Sequence, residues 1–541
     1  MKDISSTGSF IDFTLENFIY VDKTEYIPKI VKLKRVFISR PRRFGKSLTL
    51  DTIATLFETG VEPYFKGTWI YDKWTEPTYP VLRLNFLNFD KNSLEKFNNK
   101  LNSKITEFAE LNHVTTFKEK EEAEDSIDHL LEQLRLENRQ IVILIDEYDC
   151  QMTANINNET LYKQFQEKIK SFYANIKDKF AIKFLGITGV TRLKDVSIFS
   201  VGSDINDITN ASAYSQMIGF TRDEIKKYYI DYLKLASSYE NNCSVDDVTD
   251  TQLESMLDMM AQNYDGYCFD EDYEKKVFST WSVNKFFQTM IEKKKVQFGE
   301  YWYDNGGLPS ILVNYLKTHE LNIFEYLDKD KFLKVSSDDF KNPTALTTIN
   351  QNVLMCQTGY LTLRSDLNKT STVALGIPNG EIYKALNRLL ANNIFKGNTD
   401  ITDDYGRSLL EVGTVDDIIN LFNSALNSVS YDNYPIVSES SVQNMLKLYL
   451  LGAHQEVLSE VHEAKGRADL VVNTDNRRIV FEFKYAKNEA EAKSKLSEAV
   501  EQIKTRDYGN ILPKKNELIR IAAVFNADPK VRAFTENQIV P

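Results

Sequence analysis

Short apolar runs alternate with amphipathic stretches through the first 190 or so residues of this chain. Val36-Phe37-Ile38-Ser39 predicts a strand, and Leu48, Leu50, Ile53 and Leu56 recur at helical spacing just after it. Val81 to Phe86 (VLRLNF) predicts a second strand, and polar stretches over about 92–112 and 118–138 predict two helices. Ile141 to Ile145 is apolar at every position, the pattern of a strand covered on both faces of a parallel sheet. A helix over about 159–176 and a strand from Ala181 to Ile187 follow. Strand and helix alternation of this kind implies a parallel α/β sheet.

From about 220 to 430 the period becomes largely helical, with Tyr228, Tyr229, Tyr232, Phe286 and Phe287 on expected core faces. Ser428 to Pro435 (SVSYDNYP) reads as a linker, and an α/β pattern resumes after it. There, Leu470-Val471-Val472 and Ile479-Val480-Phe481 flank Thr474-Asp475-Asn476, which predicts a hairpin with Asp475 and Asn476 at its tip, both at φ > 0. That centring sets Asp469 opposite Glu482. Alternation then places Glu482 and Lys484 on one face and Phe481 and Phe483 on the other. Three regions result: an α/β domain over 1–220, a mostly helical region over 221–430, and a small α/β domain over 436–541.

Composition narrows the class. The chain has 541 residues, 42% hydrophobic, 27% charged and 12% aromatic, as in an ordinary folded protein of several domains. A net charge of −12 argues against nonspecific coating of nucleic acid, though basic residues can still be gathered in one groove. Cys150, Cys243, Cys268 and Cys356 are dispersed, without zinc-ligand spacing, and point to a reducing compartment. The N-terminus lacks the apolar core of a signal peptide, and no run of about 18 apolar residues occurs, so a soluble cytoplasmic protein without membrane partners is expected.

Two constellations carry chemistry. The first strand runs into Arg40-Pro41-Arg42-Arg43-Phe44-Gly45-Lys46-Ser47, whose Gly-Lys-Ser ending at a strand-to-helix junction matches the second half of a phosphate-binding loop. Gly45 admits a phosphate, Lys46 reaches its oxygens and Ser47 is suited to Mg²⁺. Arg40 stands where the first glycine would be, so Arg42 and Arg43 are candidates to replace glycine amides as phosphate contacts. The strand Ile141 to Ile145 ends in Asp146, a metal-orienting acid, and Glu147, a water-activating one; the next ends in Thr188, followed by Arg192 as a γ-phosphate sensor. Tyr148-Asp149 has no evident role. Near the C-terminus, Asp469 and Glu482 would face each other about 5 Å apart, an arrangement that destabilises a sheet unless a divalent cation sits between them.

Together with Tyr20-Val21-Asp22-Lys23-Thr24 and Gly219-Phe220-Thr221, the loop resembles an AAA-ATPase-like family coupled in bacteria to a C-terminal nuclease-like domain. The Asp469, Glu482 and Lys484 set resembles the PD-(D/E)xK nuclease superfamily. The resemblance implies a P-loop ATPase-like parallel sheet, a helical middle and a restriction-endonuclease-like α/β domain. It implies ATP and Mg²⁺ or Mn²⁺ as cofactors, with Ser47 and Asp146 holding metal in one site and Asp469 and Glu482 in the other. Lys484 would position the attacking water, and Glu439, Glu460 and Gln502 would frame the site. The function implied is a metal-dependent nuclease acting on nucleic acid, DNA ahead of RNA, with the ATPase-like domain as regulator. The alternative is a nucleotide-binding interaction or scaffold protein with one or both sites inactive. Oligomeric state stays open, although Arg192 could act across a subunit interface of a homo-oligomer.

Overall fold

The computed structural model describes the chain except residues 178, 194–204, 303–309, 317–318, 320–322, 344, 347, 396–405, 454–455, 464–465 and 511–513, and the side chains of 310, 456, 458–463 and 466. The chain divides into two compact units: Met1–His319 with Phe332–Ile382, and Glu320–Lys331 with Tyr383–Pro541. Residues 221–430, read from the sequence as one middle region, are shared between them.

The first unit is built on five parallel strands: β1 (Arg35–Ser39), β2 (Val81–Asn85), β3 (Ile141–Asp146), β4 (Ile182–Gly189) and β5 (Asn206–Asp207). Their order in space is β2-β3-β4-β1-β5. Every residue of β3 is buried, as its apolar run requires. In sequence β2 separates the two motif-bearing strands, β1 and β3; in space β4 lies between them and β2 is at the edge. The loop ends Ser39 and Asp146 therefore both border Thr188 and Gly189 of β4, where a third polar group can join them.

Helices Leu94–Leu111, Ala123–Leu136 and Glu159–Ile176 are amphipathic; Ser93 and Asn158 cap the first and third through hydrogen bonds to backbone N–H groups, and Phe97 meets Phe165 edge-on at 5.6 Å. The helical part buries Tyr229, Tyr232, Phe286 and Phe287 in one cluster, as their spacing predicted. It also includes a small antiparallel sheet of β6 (Leu333–Ser336), β7 (Thr362–Leu363) and β8 (Thr372–Gly376), in the order β6-β8-β7, which the helical reading did not anticipate.

The second unit holds a five-stranded sheet in the order β13-β12-β11-β10-β9, from β9 (Glu456–Glu463), β10 (Gly466–Asn473), β11 (Arg477–Ala486), β12 (Glu517–Asn526) and β13 (Ala533–Val540). Only β11 and β12 run parallel, joined by the crossover helix Glu489–Arg506. That helix packs Ala499, Val500 and Ile503 on Val471, Val480 and Ala522. The opposite face carries Phe481, stacked on Phe483 at 5.5 Å and set 5.2 Å from Phe422 of the helix Val415–Asn427. Phe481 is fully buried, so Phe481→Ala should cost about 3–5 kcal/mol of unfolding free energy in chemical denaturation. A loss below about 1 kcal/mol would contradict this packing.

The hairpin joining β10 and β11 keeps the expected register, Leu470 opposite Phe481 and Val472 opposite Ile479. Its tip departs from expectation, since neither Asp475 nor Asn476 has positive φ. Hydrogen bonds across the turn and to Glu411 hold it instead. Thr474 N donates to Arg477 O and Arg477 N to Thr474 Oγ1, while Asn476 N and Nδ2 both donate to Glu411 Oε1.

Candidate functional site

Two sites emerge, one in each unit. At the first, β1 runs into a loop in which Gly45 has φ 101°, and the helix Lys46–Thr59 begins at once. Arg43 also takes positive φ, at 72°. Arg40, in the place of the expected glycine, is only 1% exposed. Its Nη1 donates to Ser39 O and Thr209 O, and its guanidinium lies 4.1 Å from the Phe269 ring. Burial pushes its pKa down to about 9, opposed by Asp207. Arg40 is thus a brace under the loop, anchoring it where glycine amides would have lined it.

Lys46 Nζ donates to Arg40 O at 3.0 Å and Pro41 O at 3.2 Å and stands 3.8 Å from Glu147 Oε1. Ser47 Oγ donates to Asp146 Oδ2 at 2.6 Å, and Thr188 Oγ1 donates to the other oxygen, Oδ1. Lys46, Ser47, Asp146, Glu147 and Thr188 are therefore brought together, as the sequence suggested. Burial raises the Glu147 pKa, Lys46 opposes that shift, and Asp149 and Asp146 add to it. The Arg192 guanidinium pairs with Asp207 of β5, and its backbone is bonded to Gln357.

A cavity of about 480 Å³ opens over this loop. Arg42, Arg43, Gly45, Lys46, Ser47 and Glu147 line one side. The segments Tyr20–Lys23 and Gly219–Phe220, far apart in sequence, meet around the same space.

At the second site, Asp469 and Glu482 each lie one residue beyond the paired Leu470 and Phe481 of β10 and β11, and along β9 Glu460 falls between Ser459 and Val461, the partners of Leu470 and Ala468. The Glu460 side chain falls outside the described residues. Asp469 Oδ2 accepts from Phe483 N at 2.8 Å. Glu482 is fully buried and Lys484 is 6% exposed. Lys484 Nζ donates to Glu482 Oε1 at 2.8 Å, Phe483 O at 3.1 Å and Glu439 Oε1 at 3.4 Å. Glu439 opens the helix Glu439–Gly452, whose Gln443 Nε2 donates to Asp469 O. Gln502 Nε2 lies 3.5 Å from Tyr508 Oη, to which Arg506 also donates at 2.8 Å.

Burial raises the Glu482 pKa to about 7, reinforced by Asp469 and Glu439 and opposed by Lys484. Burial alone would lower Lys484, but its bond to Glu482 outweighs this and the net shift is upward. Glu482 Oε2 is buried with no hydrogen-bond partner among the described residues. A hard oxygen left in that state beside a second carboxylate suits a divalent cation of the Mg²⁺ or Mn²⁺ kind. Among the described residues no group of three or more His, Cys, Asp or Glu is arranged to hold a metal ion.

Residues 5–199 match the family model for a predicted AAA-ATPase, and residues 437–535 match that of the PD-(D/E)XK nuclease superfamily. The chain joins an AAA-ATPase-like region to a PD-(D/E)XK nuclease superfamily region. Over 533 residues it is 26% identical to an uncharacterized protein in the vnfD 5′ region of Azotobacter chroococcum mcd 1, covering 95% of this chain and 94% of that one. Among solved structures it is similar to the Walker-type ATPase PABY2304 of Pyrococcus abyssi, with 10% identity, 67% and 94% coverage of the two chains and a TM-score of 0.34. It is also similar to Cdc6p from Pyrobaculum aerophilum, with 11% identity, 68% and 93% coverage and a TM-score of 0.25.

In the AAA-ATPase-like region, sequence reasoning missed Asp149 and Tyr148. Asp149 Oδ2 accepts from Val190 N, Thr191 N and Thr191 Oγ1 at 3.2, 2.6 and 2.5 Å. Tyr148 Oη donates to Thr191 O at 3.0 Å, and a Cβ on Gly189 would lie 2.4 Å from Tyr148 Cδ1. The pair locks the segment after β3 to the segment after β4. The signal available was an acid following a buried aromatic at a strand end, facing a glycine on a strand not yet paired. In the PD-(D/E)XK region the missed partner was Gln443, one helical turn after Glu439.

Proposed function

We propose that this protein is a metal-dependent phosphodiesterase acting on DNA, with nucleotide bound at the loop after β1 as its regulator. The observation that carries the reading is the buried Glu482–Lys484 pair with an unsatisfied carboxylate oxygen beside Asp469. Asp469 and Glu482 would hold the cation, which supplies a polarised phosphoryl oxygen and an acidified water. Lys484, fixed by three acceptors, is positioned to orient the attacking water and to offset the negative charge that develops on the phosphoryl oxygens. Glu439 steers Lys484, and Gln502 with Arg506 offers donors for flanking phosphates. At the other site, Ser47 and Asp146 would hold Mg²⁺ and Lys46 the β/γ phosphates of ATP, with Glu147 as the water-activating group. The four cysteines are free thiols, in keeping with a cytoplasmic setting, and no described helix is long and apolar enough to cross a membrane.

One observation favours binding without rapid turnover at the nucleotide loop: Lys46 is committed to the loop's own carbonyls, and Arg40 braces them there. The test is cleavage of linear and circular DNA, and of RNA, by the purified protein with Mg²⁺ or Mn²⁺, with and without ATP. Metal-dependent DNA cleavage is expected; its absence under all these conditions would leave the interaction-protein reading.

The titration of Glu482 gives a second check. With a pKa of about 7, its carboxyl carries a proton below that pH and cannot hold a cation. Mn²⁺ affinity measured calorimetrically should therefore fall as pH drops from 8 to 6, approaching tenfold per pH unit once below the pKa. Saturating metal should move the acid limb of cleavage to lower pH, because the cation favours the ionised form. Affinity that is flat across this range would contradict the assignment of Glu482 as a ligand.

A further inference from the structure

Resting on the nucleotide reading above, we infer that Arg43 reads the terminal phosphate of a nucleoside triphosphate and that Trp281 reports its state to the helical part of the same unit. The Arg43 guanidinium lies 3.8 Å over the Trp281 ring, at cation–π distance, and Lys285 lies 5.2 Å from that ring. The backbone is tied at the same place. Arg43 O accepts from Thr280 Oγ1 at 2.9 Å and Trp281 N at 3.4 Å, and Arg42 O accepts from Trp302 Nε1 at 3.4 Å. Thr280 and Trp281 open the helix Thr280–Lys293, so the Arg43 carbonyl and the Arg43 cation are both held by the start of a single helix.

The loop and the start of that helix border one space. Arg42, Arg43, Lys46, Ser47, Thr280 and Trp281 line the 480 Å³ cavity over the loop. The positive φ of Arg43, 72°, is uncommon for a non-glycine residue, and its side chain borders both the indole face and the cavity. A phosphate offers Arg43 charged, bidentate acceptors, stronger than the face of an indole. A triphosphate set on Lys46 and Ser47 would thus draw Arg43 off Trp281. The diphosphate, one group shorter, leaves the stack in place. Arg40 cannot play this part, because its guanidinium is buried beneath the loop and bonded to Ser39 O and Thr209 O.

The experiment uses the full chain, wild type and two variants, Arg43→Met and Trp281→Phe. ADP, ATP and a non-hydrolysable triphosphate are titrated by calorimetry and by tryptophan fluorescence, with the Trp281→Phe signal subtracted to isolate that residue from Trp69, Trp74 and Trp302. The triphosphates are expected to change Trp281 emission and ADP to leave it unchanged. Arg43→Met should remove the change and lower the preference for triphosphate over diphosphate by on the order of tenfold. Tight binding of both nucleotides with identical Trp281 signals, or an unaltered preference in Arg43→Met, would overturn the inference alone. Calorimetric silence towards all three ligands would overturn the nucleotide reading and the inference with it.

Discussion

Lys484→Ala is expected to remove Mg²⁺- or Mn²⁺-dependent DNA cleavage, lowering it by on the order of 100-fold or more, while nucleotide binding stays intact. Two losses combine. The ammonium that orients water and meets developing charge is gone, and Glu482 loses the cation that holds its pKa down. Fully buried beside Asp469 and Glu439, Glu482 would rise above about 7 and take up a proton at neutral pH, so the metal site loses a charge as well. That same proton limits the structural damage, because the stranded acid neutralises itself where a fixed charge would cost about 3–5 kcal/mol. Gel assays of cleavage over pH 6.5–8.5, beside a thermal melt, separate the two effects. A folded Lys484→Ala protein that cuts at the wild-type rate would sink the catalytic assignment.

Lys46→Ala is expected to weaken binding of ATP and ADP by roughly ten- to a hundredfold, as the loss of a charge-assisted phosphate contact implies. In the free loop, Lys46 Nζ is shared between Arg40 O and Pro41 O, so binding exchanges two carbonyls for phosphate oxygens. Its removal also strips Glu147 of the strongest influence opposing its upward shift, which favours the protonated form of that acid. Calorimetry with both nucleotides gives the affinity. Cleavage by Lys46→Ala with and without ATP then gives the coupling: a response to ATP that survives the substitution would place the regulatory nucleotide elsewhere.

The sequence was most readable where one strand's alternation decides everything. Glu482, Lys484 and their pairing with Asp469 follow from period two and a hairpin centre, and the register between Leu470–Asn473 and Arg478–Phe481 is as expected. The tip conformation was not readable, because it depends on Glu411, some 65 residues upstream. At the nucleotide loop, Lys46 and Ser47 were legible from the Gly-Lys-Ser ending at a strand-to-helix junction, and Asp146 as a strand-end residue. The pairing of Arg192 with Asp207 was not, since it requires knowing that β5 lies beside β1. Trp281 lay in a stretch that appeared to hold only core aromatics. Nothing in its spacing distinguishes a ring against Arg43 from one against Phe or Leu.

The contact between Tyr148 and Gly189 limits how this chain can drift. A Cβ at 189 would lie 2.4 Å from Tyr148 Cδ1, well inside van der Waals contact, and Tyr148 in turn holds Thr191. Growth at 189 is therefore possible only with a smaller residue at 148, which ties substitution of the glycine to substitution of the tyrosine. A glycine far from any phosphate contact is thereby held in place by packing alone.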